Sequence, residues 1–290
     1  MLAVAAHGQA AVRVGSKADN EGAVLGQILL QVLRHDGVPV IDRTQLGPTS
    51  IVRRALLNGD LDVYPEYTGN AAFFFHRESD PAFREARKAY ALAASLDLAA
   101  NHLVWLAPAP ADNHWAIGVR GDVARAAKLA TLDDFSRWVN SGADVLLAGS
   151  AEFVESDAAL PAFQSAYGFT LRGDQLLVLA GGDTSATIKA AAEGISGVNA
   201  SMVYSTDGAI AVTGLAVLAD PRHVEMVYQP APVVREDVLR RFPGMRASLE
   251  NAFRPLTVEV LRQLNARTQI DGEDPAVVAR DYLRQAGLLP

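Results

Sequence analysis

The chain has 290 residues, half of them apolar and 20% charged, which suits two lobes that each bury a core of their own. Its formal net charge of −7 argues against nucleic acid or an anionic membrane surface as partner, because both favour a basic face. It contains no cysteine, so thiolate catalysis and cysteine metal sites are excluded. No run approaches the ~18 consecutive apolar residues that a membrane span needs.

The first residues, MLAVAAHGQAA, are mostly small and apolar. They fit the tail of a secretory signal peptide with a cleavage site near Ala10. They fit a frayed N-terminus equally well, because the positively charged segment that begins a signal peptide is missing. Both interpretations stay open, and residues 1–10 are left out of the fold prediction.

Short β-branched runs alternate with helical segments along the rest of the chain. The predicted strands are 11–15, 38–41, 61–64, 114–120, 145–148, 176–179 and 200–205. Helices are predicted at 21–35, 51–58, 81–101 and 159–167. Thr49 or Ser50 would cap the second of these, and Asp80-Pro81 would start the third. Three more are predicted by one end only: one begins after a Thr131/Asp134 capping box, one ends at Glu193, and one starts at Asp274-Pro275. This alternation predicts two mostly parallel sheets covered by helices. No flexible linker separates two lobes, so we expect more than one chain crossing between them.

Ligands of α/β folds bind where strands end and where domains meet. The segments that follow predicted strands are therefore candidates: Ser16-Lys17, Tyr64–Asn70 and Tyr204–Asp207. The Gly181–Thr184 segment opens a helix and could cradle an anion, but a tight turn with a helix cap is the favoured interpretation.

The sequence carries none of the common catalytic motifs, such as G-x-S-x-G, G-x-x-x-x-G-K-[ST] or H-E-x-x-H. Its six histidines are scattered, and no two have the i, i+4 spacing of metal ligands. We therefore expect no enzyme activity, no metal and no cofactor. An acid or base role for Asp183, Asp207 or a histidine stays open on sequence alone.

Several of the few aromatic residues fall at strand ends, where two lobes would face each other. Tyr64 and Tyr67 end one predicted strand, Trp115 begins another, Tyr204 ends a third, and Tyr228 lies in a loop with prolines. Aromatic faces bind a quaternary ammonium by cation–π attraction, worth up to about 2 kcal/mol for a desolvated contact. Any one of these residues taken alone is better explained as core or interface packing.

Long runs of the chain resemble the glycine betaine/choline/carnitine substrate-binding proteins of osmoprotectant ABC importers. These runs are VGSKADNEGAVLGQIL, LGPTSIVRRALLNGDLDVYPEYTGN, ADNHWAIGV, VYSTDGAI and YQPAPVVRE. Others resemble the stress-induced OsmF (YehZ) branch of that family: YPEYTGNAAFFF, SAEFVES, LAGGDTSATIKAAAEGISGVNA and DPAVVARDYL. The resemblance covers nearly all of residues 11–290.

The resemblance implies a type II periplasmic binding protein, an α/β fold of two lobes that closes on its ligand by a hinge motion. Lobe one would comprise residues 11–113 and 214–290, and lobe two residues 114–213. The protein would be an exported, periplasmic monomer that delivers its ligand to an ABC permease. The expected ligand-binding residues are Lys17, Tyr67, Asn70, Asn113, Trp115, Tyr204, Thr206 and Tyr228. Tyr67, Trp115, Tyr204 and Tyr228 would form the aromatic cage, and Lys17 and Asn70 would meet the polar end of the ligand.

The chain departs from the family pattern at several of these positions. Trp115 replaces a cage tyrosine of many relatives and keeps a cation–π face. Asn113 replaces a carboxylate, so one negative charge near the cation is lost. Some relatives supply an arginine to the ligand carboxylate from the loop at Glu155–Asp157, and none is present here. The loss of that bidentate contact should weaken the binding of betaines and leaves choline, a weakly held betaine or another cationic solute open.

The sequence therefore predicts the substrate-binding protein of an ABC importer, with an aromatic cage for a quaternary-ammonium osmoprotectant such as glycine betaine or choline. Two alternatives remain: the same fold binding a different small cationic or zwitterionic solute, and a ligand-sensing module. A sensing module would need a DNA-binding helix pair or a membrane segment, for which these residues leave no room. An enzyme would need an acid/base or nucleophile pair with motif support.

Overall fold

The computed structural model describes residues 10–179 and 184–290. The possible signal-peptide remnant at residues 1–9 and residues 181–183 of the predicted turn and helix cap lie outside this range. The described strands are β1 (Val12–Lys17), β2 (Val40–Gly47), β3 (Val63–Tyr67), β4 (Leu103–Trp105), β5 (Trp115–Val119), β6 (Leu147–Ser150), β7 (Leu176–Leu179), β8 (Ala200–Tyr204), β9 (Ala216–Val217) and β10 (Pro230–Arg235).

The helices lie between these strands and at the C-terminal end. They are α1 (Asn20–His35), α2 (Thr49–Asn58), α3 (Asn70–Phe74), α4 (Ala86–Asn101), α5 (Gly121–Ala127), α6 (Leu132–Asn140), α7 (Ala151–Glu155), α8 (Leu160–Tyr167), α9 (Thr184–Glu193), α10 (Gly208–Thr213), α11 (Glu236–Arg241), α12 (Met245–Phe253), α13 (Val258–Gln269) and α14 (Pro275–Gln285). Short 3₁₀ helices lie at Pro81–Arg84, Gly173–Gln175 and Ile195–Gly197. None of the described helices is long and apolar enough to cross a membrane.

The strands form two five-stranded sheets, in the orders β2-β1-β3-β10-β4 and β7-β6-β8-β5-β9. We call the part of the chain built on the first sheet lobe one and the part built on the second sheet lobe two. Four strands of each sheet run in one direction, and a single strand opposes its neighbours: β10 in lobe one and β5 in lobe two. Each opposing strand is the first strand along the sequence after the chain has crossed from one sheet to the other. The predicted fold of two mostly parallel sheets with flanking helices is confirmed.

Helices cover both faces of each sheet, because each face carries buried apolar side chains. In lobe one, α1 packs on one face with α12, α13 and α14, and its Leu25, Ile28 and Leu29 are completely buried. The other face holds a separate cluster around Tyr64 and Trp105. Lobe two likewise has two clusters. The apolar positions of α1 repeat every three to four residues, which is why the sequence predicted that helix correctly.

The chain differs from the sequence prediction at two helix starts. Asp80 accepts a hydrogen bond from the backbone N–H of Ala82, but it caps a 3₁₀ turn and not a long helix. Glu85 is extended, with φ −125° and ψ 116°, so α4 begins only after it. Thr49 is the first residue of α2 behind Pro48, and no side chain caps that helix. By contrast, the predicted Thr131/Asp134 capping box forms at the start of α6.

The expected return to lobe one at residue 214 is too early. Strand β9 pairs with β5 in the second sheet, and Ala219 bridges to Thr131 of lobe two. Leu218 lies in the core of lobe two. The chain therefore crosses from lobe one to lobe two in residues 106–114 and returns in residues 220–229.

Candidate ligand cleft

A cleft of about 1040 Å³ lies between the two lobes. This volume lies just above the usual range for small-molecule pockets, about 300–1,000 Å³. The eight residues expected to bind ligand all line the cleft: Lys17, Tyr67, Asn70, Asn113, Trp115, Tyr204, Thr206 and Tyr228. They come from the ends of β1, β3, β5 and β8, from the start of α3 and from the two crossing segments.

Trp115 and Tyr204 form the aromatic wall on the side of lobe two. They face each other directly across the antiparallel pair β5–β8, so the register of the two strands brings their rings together. The ring centroids are 6.1 Å apart with an interplanar angle of 24°, a stacked pair. Phe153 meets Trp115 edge-on at a centroid distance of 6.1 Å and supports it from the core of lobe two.

Tyr67 and Tyr228 contribute the aromatic rings on the side of lobe one. Tyr67 is the last residue of β3 and is 6% exposed, and Tyr228 is held by a 2.6 Å hydrogen bond from its backbone N–H to Asp112 Oδ1. Gly69 is required beside Tyr228, because a Cβ there would lie 2.6 Å from the ring. Burial raises the pKa of both tyrosine hydroxyls above the ordinary value, so these hydroxyls are neutral at physiological pH.

Lys17 and Asn70 are bound to a buried carboxylate and do not simply face the cleft. The Lys17 Nζ and the Asn70 Nδ2 each donate to Glu66 Oε1 at 2.7 Å, and Tyr64 donates to Glu66 Oε2 at 2.7 Å. Glu66 is completely buried. The Lys17 ammonium also lies 4.5 Å from the centroid of the Tyr67 ring. Its charge is therefore balanced within lobe one before any ligand is considered.

Glu21 lines the cleft and has hydrogen-bond partners in both lobes. It lies in the first turn of α1, which a negative charge stabilises. Its carboxylate accepts hydrogen bonds from Tyr67 Oη at 2.6 Å, Asn113 Nδ2 at 3.1 Å and Asn265 Nδ2 at 2.7 Å. Burial raises the pKa of Glu21, and the hydrogen bonds, first that of Thr206 from lobe two, oppose this rise. Asn113 and Thr206 are thus tied to a carboxylate, as Lys17 and Asn70 are to Glu66.

Comparison with known proteins shows the family to which the chain belongs. A family model described as the substrate-binding domain of ABC-type glycine betaine transport systems, OpuAC, matches residues 10–285. The chain belongs to this OpuAC family. Members of the family are substrate-binding components of ABC transport systems and not enzymes, and the chain is such a component.

Two relatives and one solved structure place the chain more closely within the OpuAC family. It is 54% identical to the glycine betaine-binding protein YehZ of Escherichia coli strain K12, over 95% of this chain and 90% of that protein. The structure of apo YehZ matches with a TM-score of 0.88, covering 96% of this chain and 99% of that one. A glycine-betaine-binding protein of Pseudomonas aeruginosa is 28% identical, over 96% of this chain and 88% of that protein. The fold class and the family resemblance predicted from the sequence are confirmed.

This OpuAC-family cleft is acidic. Among the described residues that line it, seven carry a carboxylate and only Lys17 and Arg84 carry a permanent positive charge. Ser156 and Asp157, in the segment where the family resemblance implies an arginine, line the cleft and add no positive charge. An acidic, aromatic cleft favours a cation over an anion.

Sequence reasoning missed several residues of the cleft: Glu21, Phe73, Arg84, Glu225 and Asn265. Glu21 follows the Ser16-Lys17 segment at the first turn of a predicted helix, so its position could have been found. Asn265 lies in α13 and Glu225 in the second crossing segment. Nothing in their local sequence marks them, because only the tertiary fold brings them to the cleft.

Proposed function

We propose that this protein captures a small quaternary-ammonium osmoprotectant, of the glycine betaine or choline class, in a cage formed by Tyr67, Trp115, Tyr204 and Tyr228. The observation that carries the proposal is that both lobes present aromatic rings to one acidic cleft in a member of the OpuAC family. A quaternary ammonium has no N–H to donate, so ring faces bind it better than hydrogen-bond acceptors do.

The proposed mechanism is capture followed by closure. The cation enters the open cleft and meets Trp115 and Tyr204 on lobe two and Tyr67 and Tyr228 on lobe one. Contact with both lobes favours the closed state, because a ligand shifts a conformational equilibrium by its difference in affinity for the two states. In this mechanism the ammonium of Lys17 and the amide of Asn70, both hydrogen-bonded to Glu66, meet the polar end of the ligand.

The location and partner of the protein are part of the same proposal. The closed complex would dock on the permease of the ABC system outside the cytoplasm, as an exported monomer in the periplasm. Family membership supports this assignment. Gel filtration together with fractionation of cells that express the full-length protein tests it, and a cytoplasmic protein or a stable dimer would contradict it.

Calorimetry on the double variant Tyr67→Ala/Trp115→Ala tests the cage. We expect the wild type to bind glycine betaine or choline and the double variant to lose detectable binding, because two cation–π contacts of up to about 2 kcal/mol each are removed. Trp138→Phe, at a tryptophan of lobe two outside the cleft, is the matched control and should bind as the wild type does. Unchanged affinity in the double variant would remove the cage assignment.

A second candidate is the same fold binding a different small cationic or zwitterionic solute. The absence of an arginine at Glu155–Asp157 and the amide of Asn113 in place of a carboxylate favour it. A thermal-shift panel with proline betaine, carnitine, ectoine, proline and amino acids beside glycine betaine and choline distinguishes the two, since a ligand that binds only the folded state raises the melting temperature. A shift confined to solutes without a quaternary ammonium would support the second candidate.

A further inference from the structure

Glu225 is a buried acidic residue of the cleft. It lies in the segment that returns the chain to lobe one, lines the cleft, and is 8% exposed. Its Oε1 atom is buried and has no hydrogen-bond partner among the described residues. Buried polar atoms are nearly always paired in folded proteins, so an unpaired one in a ligand cleft indicates a partner that comes from outside.

The charged groups around Glu225 are mostly of its own sign. The negative charges of Asp220, in the same segment, and of Asp112, in the first crossing segment, act on Glu225. Among the described residues, Arg84 of the 3₁₀ helix at Pro81–Arg84 is the cation that opposes them. Burial, followed by the repulsion from Asp220 and Asp112, raises the pKa of Glu225 to about 8. Arg84 does not form an ion pair with Glu225, and its Nε donates to the backbone carbonyl of Val224 at 3.0 Å.

Glu225 lines the same cleft as the aromatic cage. It precedes Tyr228 by three residues, and both side chains line the cleft. After burial, repulsion from Glu225 is the largest cause that raises the pKa of the Tyr228 hydroxyl. A cation held against the Tyr228 ring would therefore lie close to the unpaired carboxylate.

We infer that Glu225 is a specificity-determining residue. Its carboxylate makes the cleft prefer solutes with a net positive charge, such as choline, over zwitterionic betaines. The inference rests on the proposed function, since it concerns the same ligand site. A cation such as choline favours the ionised form of Glu225, whereas the carboxylate of a betaine opposes that ionisation, so a betaine gains less from this residue. Little in the cleft compensates for this difference. Lys17 is already paired with Glu66 at 2.7 Å, and Glu155–Asp157 supply no arginine.

This arrangement couples ligand binding to a proton. At neutral pH the unliganded Glu225 is largely protonated, and a cation beside it favours the ionised form. Binding of choline should therefore release a proton. The affinity for choline rises as the pH increases from 6 to about 8 and then levels off, because above this pH Glu225 is ionised without ligand.

The experiment is calorimetry with choline chloride and with glycine betaine at pH 6 to 9, on the wild type, Glu225→Gln and Glu225→Asp. Glu225→Gln should weaken choline binding by about tenfold or more and change betaine binding by less than about threefold, because a buried charge facing a ligand cation matters far more than a solvated one. Its choline affinity should no longer depend on pH in this range. Glu225→Asp keeps the charge and should keep the preference for choline.

Glu78→Gln is the matched control, because Glu78 is an exposed carboxylate at the same cleft. It should leave the ratio of the two affinities within about twofold of the wild type, as expected for a solvated charge. An unchanged choline-to-betaine ratio in folded Glu225→Gln overturns the inference, while loss of binding in Tyr67→Ala/Trp115→Ala would still support the cage. If the wild type binds neither solute, the proposed function fails and the inference fails with it.

Discussion

At the scale of single residues, the cleft is organised by buried carboxylates as much as by aromatic rings. Glu66 receives hydrogen bonds from Lys17, Asn70, Tyr64 and the backbone N–H of Tyr67. These contacts hold the end of β3 and the side chains of two expected binding residues in one arrangement. Such preorganisation lowers the entropy that ligand binding would otherwise cost.

Removing the charge of Lys17 should lower the free energy of unfolding of the unliganded protein. Lys17→Met leaves the completely buried Glu66 without its cation, and breaking a buried pair in this way costs about 3–5 kcal/mol. The double variant Lys17→Met/Glu66→Gln should recover a large part of that loss, because no unpaired charge remains. Urea unfolding of the three proteins measures this. Equal stabilities for the single and double variants would contradict a buried ion pair between Lys17 and Glu66.

Glu225 should make the stability of the unliganded protein fall with rising pH. Its pKa is about 8 in the folded protein and about 4.3 in an unfolded chain, so folding takes up a proton between these values. The contribution of Glu225 to the free energy of unfolding is complete below about pH 4.3. It is lost as the pH rises to about 8, at up to about 1.4 kcal/mol per pH unit. Glu225→Gln lacks this loss, so its advantage in melting temperature over the wild type should grow from pH 5 to pH 8. A difference in melting temperature that stays constant from pH 5 to pH 8 would argue against a buried Glu225 with a raised pKa.

The sequence identified the eight expected cleft residues because each lies in a continuous motif of the family. Glu21, Glu225 and Asn265 escaped detection for a physical reason. Asn265 is separated from Glu21 by most of the chain, yet its amide donates to that carboxylate at 2.7 Å. A contact of this kind is a product of packing, and no local spacing encodes it.

At the scale of elements, the strands and helices with clear periodicity were predicted well and their starts less well. The apolar period of α1 and the Thr131/Asp134 box correspond to observed features. The helix predicted from Pro81 fails in its first turn because the extended conformation of Glu85 interrupts it, and that conformation has no local sequence signal. The short β9 was missed, since two residues carry too little pattern to predict a strand.

Helix α10 of lobe two meets helix α13 of lobe one at a contact that permits only glycine. A Cβ at Gly208 would lie 2.2 Å from the backbone nitrogen of Ala266. Gly208→Ala must therefore separate the two backbones, which we expect to cost about 1–3 kcal/mol, as overpacking does elsewhere. Thermal unfolding of this variant checks the cost. Gly244→Ala is the control, because a Cβ at Gly244 meets nothing within 4 Å, and its stability should stay near that of the wild type.

At the scale of the whole molecule, the lobes are joined by two crossing segments and by the contact between α10 and α13. Arg262 and Asn265 of α13 reinforce that contact with hydrogen bonds to the backbone carbonyls of Ser205 and Thr206, at 2.7 and 2.9 Å. We expect the lobes to rotate about these links when the cleft closes. The position of the second crossing could not be predicted, because β9 gives no signal of belonging to lobe two.

Ligand should make the protein more compact. Small-angle scattering should show a smaller radius of gyration in saturating choline or glycine betaine than without ligand, because both lobes contribute rings to the cage. At a ligand concentration 100 times the Kd, the folded state should also gain about 2.7 kcal/mol. Tyr67→Ala/Trp115→Ala is the control and should show neither change. A wild type that binds ligand with an unchanged radius would contradict closure.

The opposing strand of lobe one also bears on the order in which the chain can fold. Strand β10 lies between β3 and β4, and its Pro230 pairs with Tyr67. The sheet of lobe one therefore stays open in its middle until the last part of the chain has been synthesised, whereas the sheet of lobe two closes with β9. Pairings so distant in sequence form slowly, because the intervening chain must first lose entropy. We expect lobe two to acquire protection from hydrogen exchange first during refolding, and the ligand cleft to exist only after the C-terminal helices have docked.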